Sequence, residues 1–283
     1  SLARMQLYSI ETGRFKLDGG AMFGVVPKTI WQKTNPADEL NRIDMAMRCL
    51  LIAEDDRLIL IDAGLGHKYD EKFARIYAVD HAHSTLKGSL AAAGFSPDDV
   101  TDLILTHLHF DHCGGATEYA DGKVALTFPN AIVYLQKAQW ETALHPNLRE
   151  KASFFPENIE PLKERLTLLD GPTDLFPFLR LEPVHGHSRG QQIALIQTGK
   201  YEILYAADLC PTYGHVPVNY VMGYDVEPLV SMEERARYMA RAAEYGTILF
   251  YEHDPNHECG TVRKNERGAY VSDQTFPLSE LFS

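Results

Sequence analysis

No stretch of this 283-residue chain approaches the ~18 uninterrupted apolar residues of a membrane-spanning helix, so a helical membrane anchor is not expected. Cysteine is scarce. The four present (Cys49, Cys113, Cys210, Cys259) are widely spaced with no C-x-x-C pair, which argues against a disulfide framework and for a reducing compartment. Basic runs are missing too: the densest, Arg263-Lys264-Asn265-Glu266-Arg267, is short and interrupted, and the formal charge is −12. Such a chain repels nucleic-acid phosphates, so no nucleic-acid partner is expected. The opening Ser1-Leu2-Ala3-Arg4-Met5 has no apolar run of signal-peptide type. A signal removed ahead of it remains compatible, but the expectation is a cytoplasmic protein with a small-molecule substrate and no membrane partner.

What the chain does have is concentrated in His107-Leu108-His109-Phe110-Asp111-His112. Three imidazoles and a carboxylate follow an apolar run, 101–106, that reads as a buried strand. These are ligands that zinc, iron, manganese and cobalt accept. In an extended loop His107 and His109 point the same way, while Asp111 and His112 lie beyond, where Gly114-Gly115 supplies permissive backbone for a turn. Two neighbouring metals are therefore expected, one on His107 and His109, the other on Asp111 and His112. Cys113 and Cys210, each close to a proposed ligand, read as buried thiols rather than ligands.

Strands are expected over 5–10, 21–26, 45–53 and 58–61, with a hairpin turn at Asp55-Asp56. A helix over 84–93 closes at Gly94. A strand over 131–135 precedes a helix over 136–144. Six prolines between 146 and 183 predict loops and one short helix near 161–166. Strands return over 179–183, 192–197 and 201–207. Ser231-Met232-Glu233-Glu234 has the capping-box pattern and predicts a helix opening there and ending at Gly246; a last strand covers 247–251. No repeat or linker interrupts the order, which reads as one domain over 1–283 built on two sheets with outer helices.

Two metals need more ligands, and three strand ends offer them. His187 lies in a turn after the strand 179–183. Asp208 follows the strand 201–207, with two oxygens able to bridge two ions, and His253 follows the last strand. Together with G-H-S-x-G at 186–190 and E-H-D-P at 252–255, this set resembles the metallo-β-lactamase superfamily, a four-layer αββα sandwich of two mixed sheets. The resemblance implies that His107, His109 and His187 hold the first metal and Asp111, His112 and His253 the second, with Asp208 between them. It makes Asp62 a residue that orients the loop without binding metal. His185 reads as structural.

Departures narrow the chemistry. Flavodiiron relatives have H-x-E-x-D, but position 109 is His; true β-lactamases usually lack a bridging Asp at the place of Asp208; the arm of the tRNA-processing nucleases is missing. The segment 19–28 with Asn41-Arg42-Ile43 resembles the branch of quorum-quenching lactonases and methyl-parathion-type phosphotriesterases. Where lactonases of that branch commonly carry Tyr three residues after the bridging Asp, this chain has Pro211, with Tyr213 two further on. The implied reaction is hydrolysis of a neutral ester, lactone or phosphotriester, lactone foremost, by a hydroxide shared between two divalent ions, zinc first with iron, manganese or cobalt as alternatives. Asp111 would carry the proton. A mononuclear-iron persulfide dioxygenase and a glyoxalase II-like thioesterase are the alternatives within the same fold. For the substrate pocket the candidates are Met22, Phe23, Tyr213 and His215. Residues 1–44 are expected to line the site or a homodimer contact, with Trp31 buried in either.

Overall fold

The structure, a computed structural model, describes residues 5–282. The apolar runs of the first half build a six-stranded sheet in the order Gln6–Asp18, Arg42–Glu54, Arg57–Ile61, Asp102–Ile104, Ile132–Gln136, Leu166–Leu169. The hairpin at Asp55-Asp56 forms with Glu54 opposite Arg57, and Asp55 takes the left-handed φ of 52° that short polar residues tolerate. From Arg57–Ile61 onward neighbouring strands are parallel. Parallel strands are buried on both faces; accordingly Leu60, Leu103, Val133 and Leu135 share a core with Leu86 and Leu90 of the helix Leu86–Ala92. The Thr85 side chain caps that helix by accepting from the Gly88 amide.

The second half builds a seven-stranded sheet in the order Tyr270–Phe276, Cys259–Lys264, Ile248–Phe250, Glu202–Tyr205, Gln191–Gln197, Leu179–Val184, Thr173–Phe176. Only Ile248–Phe250 runs parallel to its neighbour Glu202–Tyr205; the other pairs are antiparallel. Both large sheets are thus mixed, and the fold is α/β as expected. The helix Pro228–Tyr245 buries Tyr238, Met239 and Ala242 against Ile193, Leu204 and Leu249. It ends at Gly246, whose φ of 72° closes the helix in the left-handed conformation that glycine adopts without strain.

The chain separates into two compact units. One comprises the described residues up to Arg14 with Met47–Gly171, the other Phe15–Ala46 with the residues from Pro172 onward. No helix among the described residues is long and apolar enough to cross a membrane.

Several expectations fail for local reasons. Residues 21–26 are not a strand. Asp18 caps a short helix, Gly19–Phe23, by accepting from the Ala21 amide, and Gly24 ends it. Ser231 does not cap a helix, because the helix already begins at Pro228. The weakly patterned stretch after Pro146 holds the strands Leu166–Leu169 and Thr173–Phe176 in addition to short helical turns.

Candidate metal centre

The first unit gathers its candidate residues on one loop and one aspartate. The loop leaves the strand Asp102–Ile104 and is tied at both ends by Asp62. Oδ1 of Asp62 accepts from the Thr106 amide (2.8 Å), and Oδ2 accepts from Thr106 Oγ1 (2.8 Å) and His112 Nδ1 (2.8 Å). Asp62 is fully buried with φ of 62°, a strained position of the kind that clusters at functional sites. Its backbone joins the same network: Asp62 N donates to Ile104 O and Ala63 N to His112 O, each 2.8 Å.

Within the loop the His107 ring lies 4.6 Å from His109 and 4.0 Å from His112, centroid to centroid. Asp111 and His112 sit on a short helix, Phe110–Cys113, with Asp111 Oδ2 3.3 Å from His112 Nε2. His109 Nε2 donates to Glu150 Oε1 (2.7 Å), and Asn147 holds the other Glu150 oxygen (2.8 Å). His107 Nδ1 meets Thr106 Oγ1 at 3.0 Å; since that hydroxyl donates to Asp62, the network assigns the proton to the ring nitrogen. Gln139 Oε1 accepts from the Leu108 amide (2.9 Å).

Gly114 and Gly115 serve a different purpose from the one expected. Gly114 has an ordinary helical φ of −55°. The requirement is space: a Cβ at Gly114 would stand 2.0 Å from Leu65 O, and one at Gly115 2.0 Å from Ala63 O. Burial pushes the Cys113 thiol up to about 12, and its Sγ donates to Leu108 O, as a structural thiol does.

The second unit gathers His187, Asp208 and His253. His187 follows the strand Leu179–Val184 and donates Nδ1 to Asp225 Oδ1 (2.8 Å). Asp208 stands in a single helical turn, Ala207–Leu209, after the strand Glu202–Tyr205. The turn is made by Ala207, whose φ of 49° is unusual for a residue with a Cβ, and Gln191 Oε1 holds the Asp208 amide (2.9 Å). His253 donates Nδ1 to Ala46 O (2.7 Å). The Asp208 carboxylate faces both rings, Oδ2 at 3.1 Å from His187 Nε2 and Oδ1 at 3.2 Å from His253 Nε2. Burial opposes a charged His187, but Asp208 and Asp225 outweigh it and push its pKa up to about 10. The environment of this ring favours positive charge.

A common device runs through both sets. Each of the five imidazoles gives one nitrogen to a carboxylate, carbonyl or hydroxyl, which orients the ring and selects the nitrogen that would face a metal. The donors are imidazole nitrogens and carboxylate oxygens, a set that fits zinc, iron, manganese or cobalt. Asp225, Glu150 and the Ala46 carbonyl are partners that the sequence did not reveal. His185 is structural as expected: its Nδ1 accepts from the Gly190 amide at 3.0 Å.

The pocket candidates fare differently. Met22, Phe23 and His215 are 1%, 0% and 0% exposed. Phe23 is stacked between Trp31 and His215, with centroids at 5.5 and 4.2 Å. Both nitrogens of His215 are engaged, Nε2 donating to Met22 O (2.7 Å) and Nδ1 meeting Thr212 Oγ1 (2.6 Å). Burial lowers its pKa to about 3, so it is a neutral structural pin. Met22, Phe23 and His215 thus pack as one buried group. Tyr213 is half-buried, its ring 4.8 Å from His257 and its amide held by Asp254. An aromatic group that the sequence did not single out lies beside the histidine loop instead. Phe110 of the motif is 5.2 Å from Phe73, 5.7 Å from Tyr77 and 5.7 Å from Phe155. Phe73 and Phe155 also line an open cavity of about 410 Å³.

The family model for the metallo-β-lactamase superfamily matches residues 48–253, most of the chain. The chain belongs to the metallo-β-lactamase superfamily. An N-acyl homoserine lactonase of Bacillus cereus is 26% identical over 269 residues, covering 90% of this chain and 95% of the relative. Among solved structures, a probable metal-dependent hydrolase from Staphylococcus aureus superposes with a TM-score of 0.87 at 29% identity, covering 96% of this superfamily member and 98% of that chain. A dizinc quorum-quenching lactonase, determined with a product, has a TM-score of 0.79 at 22% identity, with 97% of this chain and 96% of that chain covered. At that identity the likeness to the lactonase speaks for the fold.

Proposed function

We propose that this chain is a metal-dependent hydrolase holding two divalent ions and cleaving a neutral ester, with a lactone as the favoured substrate. His107, His109 and His187 would hold one ion and Asp111, His112 and His253 the other, with Asp208 common to both. The grouping is the one the superfamily resemblance implies, with His107, His109, Asp111 and His112 clustered in the first unit and His187, Asp208 and His253 in the second. The observation that carries the reading is the Asp208 carboxylate, with one oxygen toward His187 and the other toward His253. Zinc is the first choice because the lactonase neighbour is described as dizinc.

When bound, such a pair of ions supplies Lewis acidity, polarising the attacked oxygen and making a water proton acidic near neutral pH. The residues do the rest. Asp62, Glu150, Asp225 and the Ala46 carbonyl hold the imidazoles in place. Asp111 would accept the proton that the attacking water gives up and pass it to the leaving oxygen as the acyl C–O bond breaks. In a lactone the products are one carboxylic acid and one alcohol on the same molecule. Phe73, Tyr77, Phe110 and Phe155 offer an aromatic surface for an apolar acyl or aryl group.

Support for a lactone comes from relatives that are N-acyl homoserine lactonases, 25% and 26% identical over 89% and 90% of this chain. The test is a panel of lactones, aryl esters, phosphotriesters and thioesters, assayed with zinc-loaded and chelator-treated protein. Lactone turnover that chelation abolishes and zinc restores is expected. Turnover indifferent to chelation, or confined to thioesters, contradicts the reading.

A further inference from the structure

The helix Pro228–Tyr245 places two consecutive charged residues, Glu234 and Arg235, in the interior. Consecutive positions on a helix are rotated by roughly 100°, so these side chains reach different neighbours. Glu234 accepts two backbone N–H groups, that of His185 on Oε2 (2.7 Å) and that of Gly186 on Oε1 (2.8 Å). The next residue is His187. Gly186 lies directly on the helix: a Cβ there would stand 2.3 Å from Ser231 N and Oγ. This is the actual work of the Ser231–Glu234 pair, which the sequence presents as a capping box.

Arg235 is fully buried and donates Nε to Leu209 O (2.9 Å) and Nη1 to Pro217 O (3.3 Å) and Tyr220 O (2.6 Å). Leu209 directly follows Asp208. Its hydrogen bonds go to carbonyls, while the Asp225 carboxylate favours the charge from further away. A buried charge of this kind is a poor stability device, since apolar residues of similar volume often do as well or better. What it does is align three carbonyls of one loop.

We propose that Glu234 and Arg235 form a single positioning clamp, one helical turn that fixes the loops of His187 and Asp208 and sets the 3.1 Å approach of His187 Nε2 to Asp208 Oδ2. Its functional meaning rests on the reading of both residues as metal ligands. Neither clamp residue touches substrate or metal; both act through the backbone.

Glu234→Gln and Arg235→Met separate this role from bulk stability. Glutamine keeps one acceptor and turns N–H groups on the second amide, so amide exchange at 185 and 186 should accelerate by about tenfold or more. Arg235→Met should leave those two amides unchanged. Zinc affinity, measured by chelator competition well below the unfolding temperature, should weaken by about 10–100-fold in both variants. Where Arg235→Met does not fold, Arg235→Lys takes its place, with a smaller shift in the same direction. Unchanged exchange at 185 and 186 in Glu234→Gln, or zinc affinity within about twofold of wild type in the folded variants, overturns the clamp. Wild-type protein that takes up no zinc overturns the proposed function instead, and the exchange rates then decide the clamp alone.

Discussion

Asp208 Oδ2 lies 3.1 Å from Nε2 of His187, while its second oxygen lies 3.2 Å from Nε2 of His253. Two imidazoles from separate strand ends thus converge on opposite oxygens of one carboxylate, and the other nitrogen of each ring is anchored, by Asp225 and by the Ala46 carbonyl. A carboxylate in that position can serve two cations at once. Asp208→Ala is therefore expected to bring bound metal below two per chain and to cut turnover by more than about a hundredfold, beyond what indirect partners of ligands usually cost. Elemental analysis and steady-state kinetics on the same preparation check both. A variant with full metal and full activity removes the bridging role.

On the proposed reading Asp111 would have two roles, ligand and proton carrier, and they can be separated. Asp111→Asn keeps the shape and one oxygen but loses basicity, so turnover should fall by more than about tenfold. Metal content should fall less than in His109→Ala. Unchanged turnover with well-loaded metal assigns the proton transfer to another group.

Phe155→Ala removes the ring stacked on Phe110 and leaves the proposed ligand side chains themselves unchanged. KM for lactones with long acyl chains should rise several-fold, with kcat and metal content close to wild type, because the lost contact is the same in ground and transition states. Equal KM changes for short and long chains would show that the surface does not contact the acyl group.

Glu202 ties the sheet to the helix Pro228–Tyr245 through Arg241, Thr247 and Gln197. The Arg241 hydrogen bond, outweighing burial, holds its carboxyl down at about 2, below the usual carboxylate range. A depressed carboxylate pKa contributes stability that is present above about pH 4.5 and is lost as pH falls toward 2. Because Arg241 is partly exposed, the contribution is of order 1 kcal/mol. Urea unfolding should find Glu202→Gln less stable than wild type at pH 7, with the gap closing near pH 2. A gap that is constant with pH would show that the carboxylate charge is not what stabilises this contact.

The candidate ligands are legible in the sequence because four of them share six consecutive residues and the rest follow apolar strands. Their partners were not. Glu150 lies 41 residues from His109 and Asp225 38 from His187, and neither stands in a pattern that sets it apart. The strand Tyr270–Phe276 has no clear apolar alternation because it is a partly exposed edge, and Cys259–Lys264 is short with only Cys259, Gly260 and Val262 buried. Residues 21–26 looked like a strand because they are apolar. The Asp18 cap and the Gly24 exit made a helix of their first part, and packing against Trp31 and His215 accounts for the apolar side chains. Gly114 and Gly115 were singled out correctly but for the wrong property, since close approach is visible only in three dimensions.

Counting metal on the wild-type chain bears most directly on the proposed dinuclear centre. Protein prepared with excess zinc, freed of loose ions and analysed for metal against protein, is expected to hold two equivalents, because five imidazoles and two carboxylates exceed what one ion takes. A ratio that never exceeds one, at any zinc concentration that leaves the chain folded, would contradict it.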